Sequence, residues 1–348
     1  MATSAARSVR AVLAAWVLAS AACNGNAGLV PDAGGASDDG VTDGGSPSGT
    51  WRELAPVPHP RFFNGVAAAG GKLYLVGGTV PATFDSSPER YMVTAYDPKT
   101  DTWTDLPTLP IPVIQPNVAG VGDRLFVMGS IDSNQTFVFD TATQDWVEKT
   151  PFPINAGRGA AAVGVDGTTV YLAGGVIRGL SANALDTGVR QPNLMAYDTT
   201  ADSWRMLANL PVAVGYATGA IVDGLFWVMG GSTNNERTDQ VMTFDLTSGQ
   251  WSTKGPLPAD ISSAGAGVIG GRIFIVAGVM GAVATFHAQA ISMDPSIGTW
   301  TALAPMPMPR FAMGAGVIDG TIYVPSGLGP VDTPDMFAVS PSLESFTP

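Results

Sequence analysis

The chain is 348 residues long, 45% hydrophobic and only 13% charged, with 17 Lys and Arg against 29 Asp and Glu for a net charge of −12. That balance argues against nucleic acid and anionic membrane surfaces as partners. A single cysteine excludes an intramolecular disulfide, and 43 glycines without sustained helical periodicity point to an all-β protein.

Residues 1–22 place Arg7 and Arg10 before an apolar run from Ala11 to Ala22, too short to span a bilayer and of the kind found in a signal peptide. The protein is therefore expected to be exported. Cys23 follows in the context Leu18-Ala19-Ser20-Ala21-Ala22-Cys23, which resembles a bacterial lipobox. The resemblance implies acylation of Cys23 and a lipid anchor in the cell envelope, in the periplasm or on the outer membrane. Ser20 stands where that pattern prefers Leu, so ordinary cleavage after Ala21 and secretion is the alternative. One acyl chain anchors only marginally, so a stable anchor needs further chains.

Residues 23–50 are mostly Gly, Ser, Pro and Asp, including Asp32, Asp38, Asp39 and Asp43. Such a stretch cannot bury a core and reads as a flexible tether. It lacks the ligand spacing and bidentate Glu of a calcium loop.

From residue 51 one pattern recurs. Its clearest copy runs from Leu73-Tyr74-Leu75-Val76-Gly77-Gly78 through Tyr96-Asp97 to Trp103. The small pair returns at Gly129-Ser130, Gly174-Gly175, Gly230-Gly231, Ala277-Gly278 and Ser326-Gly327. The aromatic-Asp step and its Trp return at Phe139-Asp140 and Trp146, Tyr197-Asp198 and Trp204, Phe244-Asp245 and Trp251, and, with Met for the aromatic, Met293-Asp294 and Trp300. The last copy reads as Val339-Ser340 with Phe346 in the Trp position. Turn residues fill each aromatic-to-Trp span, predicting a tight hairpin, and Gly70-Gly71 or Asp223-Gly224 predict a second hairpin upstream.

One unit is thus four strands in roughly 50 residues, repeated six times over residues 61–348. A four-stranded unit leaves both faces uncovered, and radial stacking covers them. Trp51 precedes Arg61 by the interval that separates Trp103 from Val113, Trp204 from Val214, Trp251 from Ile261 and Trp300 from Arg310. The strand from Trp51 to Leu54 is therefore expected to close the sixth blade, with Phe346 competing for its place. The predicted domain covers residues 51–348.

Repeated Gly-Gly, Tyr-Asp and Trp at these spacings resemble the kelch repeat. The resemblance implies a six-bladed β-propeller acting as a binding or scaffolding module for a protein or glycan ligand. Within that reading the glycines permit close approach between sheets, Asp closes a turn and Trp packs between blades. Some kelch propellers are copper radical oxidases with ligating histidines and a Tyr-Cys crosslink, and here the predicted ring holds no cysteine. His59 and His287, the only histidines, lie apart in the sequence and offer no metal or triad constellation. No cofactor is expected. Gly265-Ala266-Gly267-Val268-Ile269-Gly270 matches a dinucleotide pattern but crosses a hairpin with no helix to receive a pyrophosphate.

Candidate site residues lie where the repeats disagree. Arg61, Arg158 and Arg310 occupy one repeat position, sixteen residues before the small pair, where the other units carry Val113, Val214 and Ile261. That connector should lie near the central channel, with Arg61 and Arg310 side by side in a closed ring. Their forked donors suit an acidic ligand, while loop carbonyls are the alternative acceptors. The loop between second and third strands runs from short, Ile131 to Gln135, to long, Val176 to Asn193. It supplies Arg178, Asp186 and Arg190 in the third unit, and Asn234, Asn235, Glu236, Arg237 and Asp239 in the fourth. An enzymatic alternative resembles the sialic-acid mutarotases of the kelch class, with acid–base chemistry on a sugar acid in the channel. No acid–base pair accompanies the arginines in the sequence.

Overall fold

The computed structural model describes residues 47–348 except 84–85, 155, 179–187, 235, 281–284, 287, 312–313 and 331–336. The signal segment, Cys23 and most of the tether lie outside the described residues. Among the described residues the fold is six four-stranded antiparallel sheets and three small two-stranded ones, with two short 3-10 turns, Pro81–Thr83 and Pro88–Tyr91. Blade one shows the plan: Gly65–Ala69, Lys72–Val76, Val93–Asp97 and Thr102–Asp105 run in sequence order from the axis outward. Connectors and second-to-third-strand loops therefore share one end of the ring, the loop face.

Each aromatic-Asp step ends a third strand and turns back through a hairpin. The Asp side chain closes that turn: Asp97 Oδ1 accepts Lys99 N at 3.0 Å, Asp198 Oδ1 accepts Thr200 N at 2.9 Å and Asp245 Oδ1 accepts Thr247 N at 2.8 Å. The aromatic then pairs directly with the Trp, as in Tyr96 with Trp103 and Tyr197 with Trp204. The Trp also reaches out of its blade. Indole Nε1 of Trp51, Trp103, Trp146, Trp204 and Trp251 donates to the carbonyls of Ala304, Ala55, Pro107, Thr150 and Ala208, at 2.7 to 3.0 Å. Each acceptor lies beyond the fourth strand of the preceding blade, so the Trp is a staple as well as packing. Trp300 Nε1 has no such partner among the described residues.

The small pairs stitch neighbouring blades at the other end of the strands. Backbone N–H groups of Gly78, Gly175, Gly231, Gly278 and Gly327 donate to the carbonyls of Val113, Val214, Ile261, Arg310 and Arg61 in the following blade. Gly78 sits at φ +96°, and a Cβ there would stand 2.8 Å from the Phe62 carbonyl. Apolar side chains fill the seams: Tyr74, Val76 and Ala95 of blade one pack with Leu125, Val127 and Phe139 of blade two.

Blade six joins the two ends of the described chain. Its strands are Gly316–Ile318, Thr321–Pro325 and Leu343–Thr347, with Thr50–Leu54 as the outermost. One assignment changes. Phe346 pairs with Trp51, so it stands in the third strand in the aromatic position and not in the Trp position. The final copy lacks its own hairpin because its fourth strand comes from the other end of the propeller. Val339, read as part of that copy, ends a separate small hairpin formed by Leu328–Pro330 and Phe337–Val339.

Candidate functional site

The three repeat-position arginines do not meet at a channel mouth. Arg61, Arg158 and Arg310 are each 0% exposed and turned into their own blades. Arg61 donates from Nε to Gly77 O at 2.7 Å, from Nη1 to His59 O at 2.8 Å, and from Nη2 to Leu75 O at 2.8 Å and Thr94 Oγ1 at 3.1 Å. Arg310 Nη2 donates to Val324 O at 2.8 Å, and its Nη1 lies 2.8 Å from Glu344 Oε2. Arg158 Nη2 donates to Asn193 O at 2.9 Å. Burial pulls the Arg61 and Arg158 guanidiniums down to about 10 and lowers Arg310, while burial also raises Glu344 against the attraction of Arg310. The backbone of Arg61 does adjoin blade six, where Ser326 Oγ donates to its carbonyl at 2.7 Å. The guanidinium points elsewhere because carbonyls and Thr94 receive it.

The loop arginines behave differently. Asp132, in the short loop of blade two, lies 2.7 Å from Arg90 Nη2 of blade one and 2.8 Å from Arg178 Nη1 of blade three. One carboxylate thus holds two guanidiniums from flanking blades. Arg190 lies in a hairpin formed by Val176–Ile177 and Val189–Arg190. Its Nη1 donates to Gly188 O at 2.7 Å, its Nε and Nη2 donate to Ser232 Oγ, and its guanidinium carbon stands 5.5 Å from the centre of the Tyr216 ring. Asn234 Oδ1 accepts Arg190 N at 2.9 Å, and half-buried Arg237 forms a β-bridge with Ser232. Glu236 binds Thr233 through its backbone, and Asp239 is exposed. Asp186, Asn235 and His287 lie outside the described residues, and His59 sits 3.1 Å from Asp105.

Asp132, Arg90, Gln115 and Tyr216 escaped sequence reasoning. Short loops carry no repeat arithmetic, and contacts between blades leave no spacing to count.

Under the loop face runs the channel, a cavity of about 470 Å³ walled by first strands. Its wall is mainly Ala, Gly and Val, including Ala68, Gly120, Val163, Ala266 and Val317, and no Asp, Glu, Lys, Arg or His lines it among the described residues. No cluster of three potential metal ligands occurs there or elsewhere among those residues.

The family assignment rests on this six-bladed plan together with two sequence matches. The KLHDC2/KLHL20/DRC7 Kelch-repeats domain matches residues 134–327, more than half of the chain, and the Kelch motif matches residues 60–110. The chain belongs to the kelch-repeat family. Kelch-like protein terF of Aspergillus terreus is 28% identical over 51% of the chain and 40% of its own length. Kelch-like protein 35 of Mus musculus is 27% identical over 55% of the chain and 31% of its own length. The N-(sulfonatooxy)prop-2-enimidothioate sulfolyase of Thlaspi arvense is 28% identical over 53% of the chain and 56% of its own length. The matched segments therefore span less than two thirds of these relatives, which include an enzyme by name as well as kelch-like proteins.

Proposed function

We propose that this kelch propeller is an exported binding or scaffolding module that takes an acidic protein ligand on its loop face, over blades one to four. The observation that carries this reading is the convergence of Arg90 and Arg178 on Asp132, two guanidiniums against one carboxylate, in a chain of net charge −12. Arg178 is only half-buried, which keeps this charge cluster at the surface of the loop face. The kelch-repeat match supports a binding or scaffolding module. The mutarotase alternative has less support, because the described channel wall offers neither an acid–base pair nor a clamp for a sugar carboxylate.

The reading includes a lipid anchor at Cys23 in the cell envelope. Thr50 pairs with Thr347, at the ends of those strands opposite the loop between second and third strands, so the tether joins the ring away from the loops. A ligand could then approach from the side facing away from the membrane. Palmitate labelling of the full chain, lost in Cys23→Ala, is the expected outcome; an unlabelled wild type makes the protein secreted.

The binding test uses arrays of acidic peptides, basic peptides and glycans probed with the full chain and with Arg178→Ala combined with Arg237→Ala. Acidic peptides should be retained by the wild type and lost by the double variant. Glycan capture alone would replace the protein ligand with a carbohydrate, and capture unaffected by the double variant would move the site off this face.

A further inference from the structure

The channel differs from the loop face in kind. At its connector end, Gln115 N donates to Phe63 O, Ala160 N to Gln115 O, Tyr216 N to Ala160 O and Ser263 N to Tyr216 O, linking five consecutive blades by backbone bonds of 2.7 to 3.1 Å. All five residues hold φ between +51° and +58°, in the left-handed region. Left-handed φ at Phe, Gln, Ala, Tyr and Ser costs roughly 1–3 kcal/mol at each position, which the ring of backbone bonds offsets.

Phe63, Gln115 and Tyr216 are 4%, 6% and 9% exposed and line the connector end of the cavity as a roof. Gln115 Nε2 reaches Tyr216 Oη at 3.4 Å, from blade two to blade four. Ser263 lines the same end of the cavity beside Gln115. Below this roof the first strands line the bore with small and branched apolar residues, among them Ala68, Val163, Val165, Ala266 and Val268, and with their backbone amides.

We propose that the channel is a second binding site, for a small neutral amphiphile with an apolar body and one hydroxyl or amide head. About 470 Å³ lies within the range of small-molecule sites, roughly 300–1,000 Å³. The wall supplies apolar contact and the roof supplies a hydrogen-bonding pair, Gln115 and Ser263. Charged ligands are rejected, since an ion in the bore would lose its hydration and find no counter-charge on the wall. The site is distinct from the arginine-bearing loop face and selects ligands by the opposite chemistry.

The test uses n-octanol, n-octanoate and n-octylammonium as probes with the full chain, by titration calorimetry below micelle-forming concentrations. Octanol should bind saturably at one site, with octanoate and octylammonium at least about tenfold weaker. Lengthening the alkanol should raise affinity per methylene and then level off as the bore fills, a measurement that needs no variant. Ala266→Leu, checked for an unchanged circular dichroism spectrum, should weaken octanol by about tenfold or more, and Gln115→Leu by roughly fivefold to tenfold. Non-saturable octanol uptake, equal binding of octanoate, or an Ala266→Leu protein that is folded and binds as the wild type would each overturn the proposal.

Discussion

Blades one, three and six carry a buried arginine where blades two, four and five carry Val113, Val214 and Ile261, and in blades one and six the difference is answered inside the blade. Two residues before the third-strand aromatic position stand Thr94, Met195 and Glu344 in the first group and Phe137, Met242 and Ile291 in the second. Arg61 finds Thr94, and Arg310 finds Glu344. In both blades Nη2 also donates to the carbonyl of the facing second-strand residue, Leu75 or Val324. Val214 and Met242 share one apolar cluster, as do Ile261 and Ile291. Blade three carries Met195 at this position, as blade four carries Met242, and Arg158 Nε and Nη1 lack partners among the described residues. In blades one and six the departure from the repeat is thus tied to a second departure in the same blade, and the pair is a core exchange rather than a ligand clamp.

That pairing can be broken deliberately. The largest effect is expected from Val214→Arg, which puts a guanidinium opposite Met242 with no acceptor side chain; it should cost about 3–5 kcal/mol in urea unfolding. Adding Met242→Thr should restore about 1 kcal/mol, and no restoration would mean that the third-strand partner does not matter. Glu344→Met should cost nearly as much, about 3 kcal/mol, by leaving the buried Arg310 without its carboxylate. Thr94→Val should cost only about 1 kcal/mol, because three carbonyls still hold Arg61.

The smallest expected effect is a slope with pH. Backbone N–H groups pull Asp97, Asp140, Asp198 and Asp245 below the usual carboxylate range, and Ser296 does so for Asp294. Depressed folded-state values mean that their stabilisation is present above pH 4 and is lost as pH falls below it. Glu344 runs the other way and in a different window: its raised value adds stability as pH falls through it, a gain complete before the aspartates begin to protonate. Replacing Asp245 with Asn should flatten the acid side of a thermal-melt profile slightly, and replacing Glu344 should remove the gain that precedes it.

The periodic parts of the fold were legible because spacing alone carries them. Gly pairs, aromatic-Asp steps and Trp residues recur at fixed intervals, and the interval from Trp51 to Arg61 located the N-terminal strand as a fourth strand. Phe346 was misread since the final hairpin has no local partner strand, so its register is decided by a segment nearly the whole ring away. For the arginines, spacing located the connector but not the direction of the guanidinium, which depends on Thr94 and Glu344 in another strand. Asp132 was invisible for a similar reason: Arg90 and Arg178 reach it from two other blades.

The shared sixth blade also sets a schedule for making the protein. Thr50–Leu54 emerges from the ribosome first, yet its partner strand Leu343–Thr347 emerges last, so the first strand must wait unpaired through synthesis of the ring. Closure is a late contact between distant segments, intrinsically slow and exposed to mispairing with other chains. Until closure the ring is an open arc of blades, held together by its Gly and Trp stitches and awaiting one strand.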